Sequence, residues 1–128
     1  MLIAALVLAS LAAALHVYIW AMEVLWWEKD SVRATFGTTP EFAAATKGLA
    51  LNQGFYNLFL ALIALAGVIA TALGHESIGA ALVIAGVGSM LAAALVLFIS
   101  DRTKAAAAIK QGTLPLLALA ALAVALLV

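Results

Sequence analysis

Four long apolar stretches separated by short polar ones set the pattern of this chain. Leu2 to Trp27 is interrupted only by Ser10, His16 and Glu23, and predicts a first helix over 2-27, about 39 Å long at 1.5 Å per residue. Trp26 and Trp27 close it where an interfacial aromatic belt would sit. The sizeable polar segment that follows, Glu28 to Lys47, is broken at Gly37. Beyond the break, Thr39-Pro40-Glu41 reads as a helix start, with Thr39 as N-cap, Pro40 in the first turn and Glu41 suited to the dipole. The second helix, over 40-73, starts in water, enters the bilayer near Leu49 and stops at Gly74. Only Gly74-His75-Glu76-Ser77 links it to a third helix over 78-100, so the two form a tight antiparallel hairpin. Asp101-Arg102-Thr103-Lys104 is the third loop. Pro115 to Val128 reaches only about 21 Å, too short to span alone. The fourth helix is therefore placed over 107-128, carrying Gln111 and Thr113 into the headgroup region.

The polar positions fall into register with one another. His16, Trp20, Glu23 and Trp27 follow at steps of 4, 3 and 4 and share one helix face, which should point into the bundle. Gln53 and Asn57 share a stripe of the second helix, and Asn52 and Tyr56 the stripe beside it. Counting inward from the helix ends sets Glu23 level with Asn52 and Gln53, and His16 nearer the midplane with Tyr56 and Asn57. The opposite half of the bundle is almost purely aliphatic, so no polar path crosses it. Ala81, Ala85, Ser89 and Ala93, with Gly86 and Gly88 beside them, form a ridge of small residues that predicts the third helix to be the closely packed one.

Composition fixes the solvent. With 68% of 128 residues apolar and 9% charged, a domain this small has no way to hide its apolar surface from water. The fold class is all-α, an integral membrane four-helix bundle forming one domain over 1-128. No Lys or Arg precedes the first apolar run, and the run is too long for a signal peptide, so it reads as a retained membrane helix. A net charge of zero without a basic tract excludes nucleic acid as a partner. The absence of cysteine excludes disulfides and thiolate chemistry. Lys29, Arg33 and Lys47 in the first loop and Arg102, Lys104 and Lys110 in the third, against none in the second, put loops one and three in the cytoplasm and both termini outside. The expected location is the bacterial inner (plasma) membrane.

The candidate chemistry sits in the polar cluster. Glu23 and His16 are the catalytic candidates, a carboxylate and an imidazole able to move a proton within an apolar span. The bland alternatives are a hydrogen-bond partner for the amides and a satisfied buried histidine. Asn52, Gln53, Tyr56, Asn57, Trp20 and Gln111 are the ligand-binding candidates, against readings as interhelical glue and belt aromatics. Glu23 and His16 lie about 10.5 Å apart along the axis, too far to share a metal, and no metal or other cofactor is assigned. Phosphate-binding glycine motifs, a nucleophile elbow, a zinc-protease His pair and closely spaced carboxylates are all missing.

His16, Glu23, Phe36-Gly37, the run Leu49-Ala50-Leu51-Asn52-Gln53-Gly54-Phe55-Tyr56-Asn57, Ala85-Gly86 and Gln111 through Pro115 together resemble the small four-helix membrane proteins grouped as domain of unknown function 1304. That resemblance implies the fold over nearly the full length and marks His16, Glu23, Asn52, Gln53, Tyr56 and Asn57, but implies no activity. More distantly the chain is similar to the membrane-associated eicosanoid and glutathione metabolism superfamily, which implies a trimer. It departs from that group in lacking arginines near the second helix. The expectation drawn from these features is an intramembrane polar pocket that binds, or chemically modifies, an amphiphilic or lipid-like ligand. Membrane lipid, an amphiphilic small molecule and copies of the chain itself in a dimer or trimer are the expected partners. Proton-coupled transport by an oligomer and a structural accessory role are the alternatives.

Overall fold

The computed structural model describes residues Met1 to Leu127. Among these the regular elements are all helical: α1 (Leu2–Val24), α2 (Asp30–Phe36), α3 (Pro40–Ala72), α4 (Glu76–Ser100), a 3-10 turn (Arg102–Lys104) and α5 (Ala105–Leu127). The four long helices, α1, α3, α4 and α5, are each long and apolar enough to cross a membrane. They close a ring in which α1 packs on α3 and α5, and α4 packs on the same two from the other side. The protein is an integral membrane four-helix bundle.

Its core is built from small side chains. Ala9, Ala12 and Ala13 of α1, Ala61 and Ala64 of α3 and Ala118 of α5 are wholly buried, with Met90 of α4 the largest fully buried side chain. Long aliphatic residues such as Ile3, Leu62, Ile99 and Leu127 face outward. This inversion of a soluble core follows from the solvent: lipid tails accommodate leucine as readily as a protein interior does, so close backbone approach drives helix association.

The α3–α4 hairpin is closest. A Cβ added at Gly67 would lie 2.6 Å from the Val83 nitrogen, one at Gly79 would lie 2.7 Å from the Thr71 nitrogen, and one at Gly86 would lie 2.8 Å from the Ala64 nitrogen. Of the ridge expected to mediate packing Gly86 does so, whereas Ala81, Ala85, Ser89 and Ala93 all face outward and Gly88 borders open space. Even an alanine Cβ does not fit where two backbones touch, so the glycine stripe turned inward instead. Gly74, at φ +88°, makes the hairpin turn in a conformation that side chains disfavour.

Four element boundaries differ from the sequence reading and one helix is new; α3 ends at Ala72 rather than at 73, and α4 begins at Glu76 rather than at 78. α1 ends at Val24 rather than Trp27, because Leu25 and Trp26 both donate to the Ala21 carbonyl and the chain widens into a turn. The two tryptophans take tertiary partners instead: Trp26 packs edge-on to Tyr18, and Trp27 Nε1 donates to the Ala43 carbonyl at 3.0 Å. The polar segment contains a helix the apolar pattern did not predict. α2 buries Val32 against Ile19 and Met22, sets Phe36 on the Trp27 ring at 5.1 Å, and ends at Gly37 with φ +65°. α3 begins at Pro40, where Thr39 Oγ1 accepts from the Phe42 nitrogen. The fourth membrane helix begins at Ala105 rather than Ala107, because the 3-10 turn leads straight into it.

Asp101 caps that 3-10 turn, its Oδ1 accepting from the Thr103 nitrogen at 2.9 Å and the Thr103 hydroxyl at 2.6 Å. These bonds, the side-chain one foremost and aided by Lys104, hold the exposed carboxyl below the usual aspartate range. A depressed value in the folded state means the cap is fully made above the ordinary aspartate value and is lost as pH falls through the lower, folded one. We expect the Thr103 amide resonance to titrate with a midpoint below that of an unstructured aspartate, and the Asp101→Asn variant to show no such step.

Candidate functional site

The polar residues of α1 and α3 meet where α3 has no side chain. A Cβ on Gly54 would lie 2.5 Å from Val24 Cγ2, 3.1 Å from Glu23 Cβ and 3.4 Å from the Trp20 carbonyl oxygen. The glycine in the middle of Asn52-Gln53-Gly54-Phe55-Tyr56-Asn57 thus lets the last turn of α1 press onto α3. One turn further along α3, Asn57 Nδ2 donates to Glu23 Oε2 at 2.8 Å and also to the Gln53 carbonyl at 3.2 Å. Trp20, on the same face of α1, meets the Phe55 ring edge-on at 6.5 Å, and its indole Nε1 is buried with no hydrogen-bond partner.

The register differs from depth counting, which set Glu23 against Asn52 and Gln53. Contact at Gly54 slides the helices so that Glu23 reaches Asn57 instead. Asn52, Gln53 and Tyr56 point outward from the bundle, Tyr56 with 59% of its surface exposed. The hexapeptide is therefore divided, with Gly54, Phe55 and Asn57 serving the α1 interface and Asn52, Gln53 and Tyr56 forming a polar stripe on the outer face of α3. His16 is 2% exposed, and its Nδ1 lies 2.9 Å from the Ala12 carbonyl oxygen. A carbonyl only accepts, so Nδ1 carries the proton in this contact. No hydrogen bond joins His16 to Glu23 among the described residues. Gln111 is half-buried on α5, which packs on α1 and α4.

Beside this pair the turn after α1 leaves a cleft of about 310 Å³, lined by Val24, Leu25, Trp26, Trp27, Glu28, Lys29 and Lys47. Lys47 Nζ pairs with Glu28 Oε2 across it, and Lys29 Nζ sits 5.1 Å from the centre of the Trp26 ring. Val24 belongs both to the cleft and to the Gly54 contact, so the charged rim and the half-buried Glu23 carboxylate are neighbours. The sequence reading used Lys29 for orientation, left Lys47 also as a partner for Glu23 or an anionic headgroup, and gave Gly54 and Phe55 no role of their own within the hexapeptide. A glycine amid amides was the available signal for the helix contact. Among the described residues no three His, Cys, Asp or Glu side chains are grouped to hold a metal ion.

Geometry and composition together define a small four-helix integral membrane protein with one polar end. The chain belongs to the family described as "Protein of unknown function (DUF1304)", whose model matches residues 10–123. No curated protein and no solved structure matches it. The more distant likeness to the eicosanoid and glutathione superfamily is not shown by these comparisons.

Proposed function

We propose that the protein binds an amphiphile at the α1–α3 contact, with the polar head at Glu23, Asn57 and the cleft and the tail along the aliphatic helix surfaces. One observation carries this reading: among the described residues the buried Trp20 Nε1 lacks a partner while the neighbouring Glu23 carboxyl has only the Asn57 amide as donor. Unsatisfied polar groups in an apolar setting cost about 1–3 kcal/mol each. A ligand head offering both an acceptor for the indole and a donor for the carboxyl removes that cost. The rim supplies Lys47, Glu28 and Lys29 to a charged or zwitterionic head, and the basic end that holds it faces the cytoplasm of a bacterial inner membrane. Proton transfer at Glu23 is the chemistry this arrangement offers if the bound head reacts. His16, held by its own helix, positions α1 in this scheme and takes no part in it.

A second reading rests on a separate observation, the outward stripe of Asn52, Gln53 and Tyr56. Amides facing lipid gain by pairing with a second copy, which makes a dimer or trimer through α3 the favoured assembly.

Native mass spectrometry in mild detergent tests both readings. The wild-type protein is expected to carry an amphiphile of defined mass that Glu23→Gln loses, while Asn52→Leu lowers the oligomer mass and keeps the adduct. Wild-type protein without such an adduct rejects the pocket.

A further inference from the structure

A second binding feature lies on the other side of the ring. Between α4 and α5 an apolar groove of about 310 Å³ is lined by residues that include Leu91, Leu95, Phe98, Ile109, Thr113 and Leu116. Its floor is made of small residues: Ala94 and Ala108 are buried in it, and a Cβ added at Gly112 would lie 2.9 Å from that of Ala94. The helices touch through these residues, and the longer side chains on either side stand up as walls. Thr113 turns its hydroxyl to the Ile109 carbonyl at 2.7 Å, so the groove presents no free side-chain donor to its occupant.

One end of the groove carries a charge. The Arg102 guanidinium carbon lies 4.5 Å from the centre of the Phe98 ring, and Phe98 is itself part of the groove wall. Among the described residues no salt bridge neutralises this cation. Asp101, its neighbour in sequence, spends its carboxylate on Thr103; Lys104 is engaged by the Phe36 carbonyl; and the ion pairs among the described residues are Arg33–Asp30 and Lys47–Glu28. Stacking on Phe98 orients the guanidinium while leaving its N–H fork available for bidentate contact with a phosphate.

We propose that this groove is a site for an anionic phospholipid, with one acyl chain lying between α4 and α5 and the phosphodiester held by Arg102. Charge complementarity selects this occupant. A second copy of the chain would offer outer helical faces to an apolar groove, with its Glu28, Asp30 and Glu23 carboxylates already held by Lys47, Arg33 and Asn57. An anionic lipid supplies chain and charge at the spacing the groove already has. The site is independent of the Glu23 pocket, which lies across the ring.

The test uses the full-length protein delipidated in detergent and then titrated with phosphatidylglycerol or phosphatidylcholine, with bound lipid counted by native mass spectrometry. Phosphatidylglycerol is expected to be retained preferentially, and Arg102→Gln to weaken its retention about fivefold, the effect of one cation beside an anionic lipid. Ile109→Trp, which fills the groove from a position with 58% of its surface exposed, is expected to abolish retention of either lipid without disturbing the fold. Equal retention of the two lipids, or phosphatidylglycerol binding unchanged in Arg102→Gln, overturns the proposal. A dimer that Ile109→Trp dissociates also overturns it and assigns the groove to a second copy. Because Glu23→Gln leaves Arg102 and the groove intact, loss of the amphiphile in that variant and loss of phosphatidylglycerol in Arg102→Gln are read separately.

Discussion

Gly79→Ala is expected to unlatch the α3–α4 hairpin, the largest loss of stability from any single methyl group in this chain. The added Cβ would stand 2.0 Å from Thr71 Oγ1, 2.7 Å from the Thr71 nitrogen and 2.8 Å from the Gly67 carbonyl oxygen. The hydroxyl has little room to yield, since Thr71 is 9% exposed and already donates to the Gly67 carbonyl at 3.0 Å. The other two atoms are backbone, so the helices must part. Overpacking ordinarily costs about 1–3 kcal/mol, and contact with backbone on two sides puts this case at or above the upper end. Gly88→Ala is the control: nothing lies within 4 Å of its added Cβ, and alanine favours the helix by about 1 kcal/mol. Unfolding in mixed micelles would read both. Equal stability of the two variants would show that α3 and α4 do not meet through Gly79.

Asn57→Leu comes second in size. It removes the one hydrogen bond that the Glu23 carboxyl makes to another side chain and leaves that carboxyl in the α1–α3 interface, at a cost of about 1–3 kcal/mol. Replacing both members by leucine is expected to return much of this loss, because two apolar groups make no unmet demand. Asn52→Leu, on the outward stripe, should cost far less within the protomer. The decisive quantity is the coupling between positions 23 and 57 in a double-mutant cycle. A coupling near zero, or an Asn52 effect as large as that of Asn57, would remove the pair from the site.

These particulars show where the sequence was legible and where it was not. The four spans and the all-helical class follow from apolar run length, since a stretch such as Ile78 to Ser100 has one way to satisfy its backbone in lipid. The start at Thr39 was legible for a local reason: the capping hydroxyl lies three residues from the nitrogen it serves. The extent of α1 was not, because Trp26 and Trp27 are held by partners elsewhere in the chain. Nor was α2, whose helicity rests on burying Val32 against Ile19, 13 positions back in α1, and on setting Phe36 against Trp27. Periodicity placed His16, Trp20, Glu23 and Trp27 on one face; Trp20 and Glu23 meet α3 from α1 and Trp27 meets it from the turn beyond, while His16 is buried and bonded to its own helix. It could not say which α3 residue each would meet. Register between two apolar helices depends on where backbones touch, and that was decided at Gly54. The same limitation explains the α4 ridge, where alanines and glycines look alike in a pattern of small residues but differ by the one atom that decides packing.

Lys104 Nζ donates to the Phe36 carbonyl, joining positions 68 residues apart. That bond has a consequence for the order of assembly. The short helix near the beginning of the chain emerges long before its lysine exists, and the lysine reaches the same side of the membrane only after the α3–α4 hairpin has crossed and returned. The first loop therefore waits, its last carbonyls in water, until the final turn arrives to close it. A chain interrupted before Lys104 has its first three spans in place and its first loop unsealed, a surface that distinguishes unfinished copies from finished ones.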